Sequence, residues 1–249
     1  MRAYPDRSRC AVACCRAAAC CAAILIGATA CGTARPGPSA RAAPSANPLA
    51  GLTADQIARK AIADLAAASS VHITGSVGQD GQSAFADLTL GTKGCRETFR
   101  FPGQGSFGMI AIGNTIWLKP DSQMLGMFPA KVRPHLAGKY VQTPDVPGGM
   151  TDFCGLGETA NSFGSELKDL VTVKITTISG QPALQLADKR HLTSAYVTMS
   201  ARPELLRVDV SQDHAEFTGY NQPVTFTPPP ADETVTEAQL GALAGGHHP

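Results

Sequence analysis

Residues Cys95–Lys119 read CRETFRFPGQGSFGMIAIGNTIWLK, three short runs of strand-forming residues separated by compact breakers. Cys95–Phe101, Ser106–Ile112 and Thr115–Lys119 are rich in Phe, Ile and Thr, and Pro102-Gly103-Gln104-Gly105 and Gly113-Asn114 divide them. Connections this short join neighbouring antiparallel strands, because a parallel partner needs a crossover of about a dozen residues or more. The stretch therefore predicts three consecutive strands of a meander.

The same grammar extends outward. Upstream, Val71, Ile73, Gly75 and Val77 alternate with polar residues; after a Gln79–Gln82 turn, Ala84, Ala86, Leu88 and Leu90 do so again. Ahead of them, Thr53 and Gln56 form a capping-box pattern. It predicts a helix over 54–68, with Ile57, Ala61, Ile62 and Leu65 on one face and Leu52 stapled onto Ile57. Downstream, Met124, Leu125 and Phe128 share a face of a short helix expected over 121–128. Residues 129–164 are broken by Pro and Gly, with a short strand expected at Tyr140-Val141 and a helix over 159–167. Strands resume at Val171–Thr176, where Val171, Val173 and Ile175 alternate, and at Leu184–Leu186. They continue through Ser194–Ser200, Leu205–Ser211 (Leu206, Val208 and Val210 inward) and Ala215–Tyr220. The expected fold class is α+β: a large, mostly antiparallel sheet of about nine or ten strands with helices at the start and mid-chain. A sheet that size curls.

The N-terminal 30 residues do not belong to this pattern. Arg2, Arg7, Arg9 and Arg16 precede an apolar run from Ala17 to Ala28, followed by Thr29-Ala30-Cys31. The run is too short for a permanent span, which takes about 20 residues, and reads as an export signal. Cys31 directly after small residues resembles the lipobox of bacterial lipoproteins, in which that cysteine is diacylated; Ala28 stands where the pattern most often has Leu. An ordinary secretory leader cut near Ala30 is the alternative. The expected organisation is 1–30 signal peptide, 31–51 lipidated Cys31 and flexible Pro/Ser/Ala-rich tether, 52–230 folded domain and 231–249 polar tail. Cys10, Cys14, Cys15, Cys20 and Cys21 leave with the leader, so Cys95 and Cys154 are expected to form a single bridge outside the cell. Removing the leader also takes the formal net charge from +1 to about −2, which argues against nucleic acid as a partner.

The signal, the tether, the single N-terminal helix and the run from Gly103-Gln104-Gly105-Ser106 to Gly113-Asn114-Thr115-Ile116-Trp117-Leu118-Lys119 together resemble the mycobacterial LppX/LprG-type lipoproteins. These group with the LolA/LolB-like lipoprotein carriers. The resemblance covers roughly 52–228 and rests on layout. It implies a half-barrel sheet wrapped over helices around an apolar cavity for acyl chains, with no catalytic residues. The family pattern does not fix a Cys95–Cys154 pair.

The residues themselves supply candidates for such a cavity. Phe99, Phe101, Phe107, Met109 and Trp117 fall on neighbouring strands, and Met124, Leu125, Met127 and Phe128 follow as a candidate lid. Thioethers adapt to flexible apolar ligands, and Met109, Met124, Met127 and Met150 cluster mid-chain. Enzyme signatures are weak. His72, His135, His191 and His214 are scattered, and no pair shows metal-ligand spacing. Gly103-x-Gly105-x-x-Gly108 matches G-x-G-x-x-G but opens a strand instead of a helix, so no phosphate site is expected. No cofactor and no metal are implied. The expected function is a membrane-anchored carrier of lipid or glycolipid on the extracytoplasmic face, not an enzyme. The alternative is an envelope sensor or adaptor that binds a protein partner.

Overall fold

Short turns build two meanders, which a computed structural model describing residues 47–79, 82–144 and 154–244 joins into one sheet. The first runs through β1 (Ser70–Gln79), β2 (Gln82–Gly91), β3 (Gly94–Phe101), β4 (Gly105–Ile112), β5 (Thr115–Pro120) and β6 (Tyr140–Pro144). The second runs through β7 (Val171–Ile178), β8 (Gln181–Ala187), β9 (Thr193–Thr198), β10 (Leu205–Val210) and β11 (Asp213–Thr218). Ser179 and Gly180, at φ 48° and 83°, make the two-residue turn between β7 and β8, the left-handed pair that matches strand twist. β1 pairs with β11, from His72 opposite Thr218 to Ser76 opposite His214, and this seam unites the meanders. A three-residue strand, β12 (Thr234–Thr236), adds to β6 in parallel. The result is an α+β fold on an open, curled, 12-stranded sheet, antiparallel except at that last pair, with β12 and β7 at its edges. β12 exceeds the sequence expectation because three residues carry no alternation of their own.

Helices cover one face of this sheet. α1 (Ala54–Ala66) starts with the expected reciprocal cap: Gln56 N–H donates to Thr53 Oγ1 (3.2 Å), and Thr53 N–H donates to Gln56 Oε1 (2.8 Å). Leu52 is exposed, and Leu49 takes the buried place expected of it. α3 (Leu156–Glu166) packs on α1, and a Cβ on Gly164 would stand 3.3 Å from Ile62 Cγ2, so the two helices touch closely there. Beneath them Ile57, Leu65, Leu205, Val208 and Phe217 form the core, with Phe163 of α3 edge-on to Phe217 at 5.0 Å. Asp55 also accepts from the Leu170 amide (2.9 Å), fixing the entry to β7 against the start of α1.

Three expectations are corrected. The helix over 121–128 is a 3-10 turn at Met124–Met127, because Asp121 accepts from the Met124 amide (2.7 Å) and from Ser106 N (2.7 Å) and Oγ (2.9 Å). A four-residue helix, α2 (Arg133–Leu136), follows it unannounced. In β7 the alternating Val171, Val173 and Ile175 stay 44%, 40% and 63% exposed. This strand has one neighbour, and its register shifts between Thr172 and Lys174. The stretch 231–249 is more than a polar tail: β12 leads into α4 (Glu237–Ala244), capped by Thr236 and Gln239 in a second reciprocal pair.

Between β11 and β12 the chain crosses the sheet face opposite the helices as a strap. Tyr220 O–H donates to Leu205 O (3.1 Å) and Ser70 Oγ donates to Gln222 O (2.6 Å) at one end. In the middle, Val224 and Phe226 lie 2.9 Å from where a Cβ on Gly91 would be. At the far end Lys139 Nζ donates to Asp232 O (2.8 Å) and Lys119 Nζ lies 3.7 Å from Glu233. No helix among the described residues is long and apolar enough to cross a membrane.

Candidate functional site: the inner face of the first meander

Strand alternation places Cys95, Glu97, Phe99 and Phe101 of β3 on the helix-covered, inner face. Their cross-strand partners on β4 are Ala111, Met109, Phe107 and Gly105. Leu88 of β2 stands opposite Glu97, and Leu118 of β5 opposite Met109. Burial falls along this surface. Cys95, Glu97 and Met109 are fully buried, whereas Phe99, Phe101 and Phe107 are only half-buried. Phe107 lies 5.2 Å from Phe99 and 6.0 Å from Phe101, ring centre to ring centre, so the three rings form one patch at the open end. Rings this size left partly open to water give an apolar contact surface.

The covered end is locked. Cys95 and Cys154 are joined in a disulfide, Cα atoms 5.3 Å apart and 59 residues apart in sequence, tying β3 to the segment that enters α3. Next to it Glu97 is 1% exposed. Among the described residues its Oε2 has no hydrogen-bond partner, and the atom near Oε1 is Cys154 Sγ at 3.9 Å, a disulfide sulfur with no proton to give. Burial pushes the Glu97 carboxyl up to about 7. The ligand-type atoms of Cys95, Glu97 and Cys154 fall within 4.8 Å of one another, but sulfurs bonded to each other are not thiolate ligands.

The expected site residues divide as follows. Phe99, Phe107 and Met109 come together on the inner face. Trp117 does not. It stands opposite Ile110 on the outer face, 8% exposed on the side that the strap crosses, while its neighbours Ile116 and Leu118 point into the core. Met124, Leu125 and Phe128 are half-buried and Met127 is 69% exposed on the 3-10 turn. That turn is fastened at the end of the β3–β4 hairpin. Gln123 Nε2 donates to Gly103 O (2.7 Å), Arg133 donates to Phe128 O (2.7 Å) and Gly126 O (2.8 Å), and a Cβ on Gly105 would meet Met124 N at 2.7 Å. Cys31, the leader and Met150 lie outside the described residues.

Sequence reasoning missed Glu97, although its signal was present: in Cys95-x-Glu97-x-Phe99 a carboxyl occupies an inward phase. The histidines fall on other surfaces. His72 Nε2 lies 2.8 Å from Asp87 and its Nδ1 3.2 Å from Thr218 Oγ1, and His214 Nδ1 lies 3.2 Å from Ser76 Oγ. A recess of about 340 Å³ sits apart from the aromatic patch, at the β6–β12 edge, lined by Thr115, Gln142, Pro144, Thr236, Glu237 and Ala238.

No protein-family model and no curated protein matches the chain. Among solved structures, it is similar to LprF from Mycobacterium bovis at 13% identity and TM-score 0.49, covering 71% of this chain and 96% of that one. An uncharacterized conserved protein from Thermus thermophilus aligns at 15% identity and TM-score 0.35, covering 74% and 99%. MucB in the MucA/MucB complex of Pseudomonas aeruginosa aligns at 14% identity and TM-score 0.32, covering 72% of this chain and 59% of MucB. At these values the likeness bears on neither ligand nor partner.

Proposed function

We propose that this chain is a lipoprotein that binds and carries a lipid or glycolipid against the inner face of its curled sheet, held at the extracytoplasmic side of the cell membrane through Cys31. One observation carries the reading: Phe99, Phe101 and Phe107 form a half-buried aromatic patch, still partly open to water, on the face whose other end is fully buried under helices. An acyl chain laid on that patch removes apolar surface from water at roughly 25 cal/mol per Å². The role is binding and not catalysis. The His72–Asp87–Thr218 and Ser76–His214 groupings sit on strand positions of the opposite face, away from the patch. Organic extraction of the exported protein followed by mass spectrometry is the test. Stoichiometric acyl species are expected, and clean extracts contradict the carrier role. Anchoring is tested separately: Cys31→Ala is expected to release the protein from membranes, and unchanged fractionation with no acyl mass on the wild type refutes it.

A second reading, an adaptor for a protein partner, draws on β7. An outer strand with three apolar side chains in water is a surface on which an extended segment can add. Ile175→Lys is then expected to abolish co-purification of a stoichiometric partner while leaving lipid extraction unchanged; partner recovery unaffected by the change removes this reading.

A further inference from the structure

Among the described residues the buried carboxyl of Glu97 has no donor or cation against it, and its position relative to the aromatic patch gives it a use. Along β3 the inward residues run Cys95, Glu97, Phe99 and Phe101, so Glu97 stands where the covered floor meets the half-buried rings. Its cross-strand neighbours are Leu88 and Met109, neither of which can hydrogen-bond it well. Cys154 Sγ, 3.9 Å from Oε1, has no proton to offer. A carboxyl held 1% exposed without a partner loses its hydration and gains nothing in return. Natural structures rarely leave such a group unless something else satisfies it.

We propose that Glu97 is the polar recognition point of the inner face, and that the ligand is a single-chain amphiphile bearing a free hydroxyl, inserted hydroxyl-first with its chain lying over Phe99, Phe101 and Phe107. This inference rests on the carrier reading above and names its ligand class. A hydroxyl fits for two reasons. It offers one donor and accepts in return, which suits a carboxyl whose burial favours the protonated form near neutrality. An ammonium group brings three donors, and the apolar partners Leu88 and Met109 leave two of them unsatisfied. A methyl ether of the same chain retains the apolar contact but cannot donate.

The experiment compares binding of 1-dodecanol and its methyl ether to the intact protein, to Glu97→Leu and to Glu97→Gln, by displacement of a fluorescent fatty probe. The wild type is expected to prefer the alcohol by about tenfold, the scale of one satisfied buried hydrogen bond. Glu97→Leu, which replaces an unsatisfied group by an apolar one of similar size, is expected to bind both compounds alike, and Glu97→Gln to keep most of the preference. Infrared difference spectra give an independent readout, since the protonated carboxyl band is expected to shift on adding the alcohol and to be absent from Glu97→Leu. Equal binding of alcohol and ether by the wild type, or an unchanged preference in Glu97→Leu, overturns the role of Glu97 and leaves the carrier reading standing. Failure of the wild type to bind either compound overturns both.

Discussion

Within one strand the inner face changes character. At the Cys95 end of β3 every inward group is buried, crosslinked or pressed under α3, and the surface is finished. At the Phe101 end of the same face, Phe99 and Phe101 with Phe107 of the neighbouring β4 stay half-buried beside a carboxyl with no hydrogen-bond partner on one oxygen among the described residues. The first end holds the fold together, and the second is where a ligand completes it. Substitutions should therefore separate into those that cost stability and those that cost binding.

The largest effects belong to the finished end. Phe217→Ala, removing a ring packed edge-on to Phe163 under the helices, is expected to lower unfolding stability by about 3–5 kcal/mol in denaturant melts. Opening the disulfide with Cys95→Ala/Cys154→Ala is expected to cost roughly 4 kcal/mol, the chain-entropy value for a loop of this length. A loss under about 1 kcal/mol means that the covered end is held by packing alone.

Glu97 marks the boundary and makes it pH-sensitive. Burial raises its carboxyl from 4.5 to about 7, so the folded state holds that proton more tightly than the unfolded chain does. The contribution is fully present below about pH 4.5, declines as pH rises toward 7 and is gone above it, up to about 3 kcal/mol in total. Wild type is therefore expected to lose stability relative to Glu97→Leu across that window. Parallel stability–pH curves for the two proteins place Glu97 in water instead.

The smallest stability effect is expected at the open end. Phe99→Ala and Phe101→Ala remove half-buried rings and should each cost roughly 1 kcal/mol, well below Phe217→Ala, while weakening acyl binding. A loss as large as that of Phe217→Ala returns these rings to the core.

What the chain announces in advance follows from how local each signal is. Thr53 with Gln56, the Gly113-Asn114 turn and the alternations of β1 to β5 are short-range, and all were readable. The seam of β1 with β11 joins residues more than a hundred positions apart, and alternation says nothing about partners. Trp117 shows the same limit. Strand alternation sets Ile116 and Leu118 against Trp117, but two apolar faces do not reveal which one the helices will take. Here both are covered, the inner by α1 and α3 and the outer by the strap that seats Phe226 against Gly91. The cap of α4 is legible in Thr236-Glu237-Ala238-Gln239, but the polar composition around it gives no apolar periodicity to mark a helix. Val171, Val173 and Ile175 differ for another reason: the register shift between Thr172 and Lys174 sets Val171 opposite Ala187 and Ile175 opposite Leu184, so their sequence alternation does not put them on one face.

The central claim is that the aromatic end of the inner face holds an amphiphile. Native mass spectrometry of the intact protein and of Phe99→Asp/Phe107→Asp tests it most directly. The account predicts a bound acyl species on the wild type, its loss from the double variant, and melting of that variant within a few degrees of wild type. An equal load of acyl species on both proteins, or none on either, contradicts it.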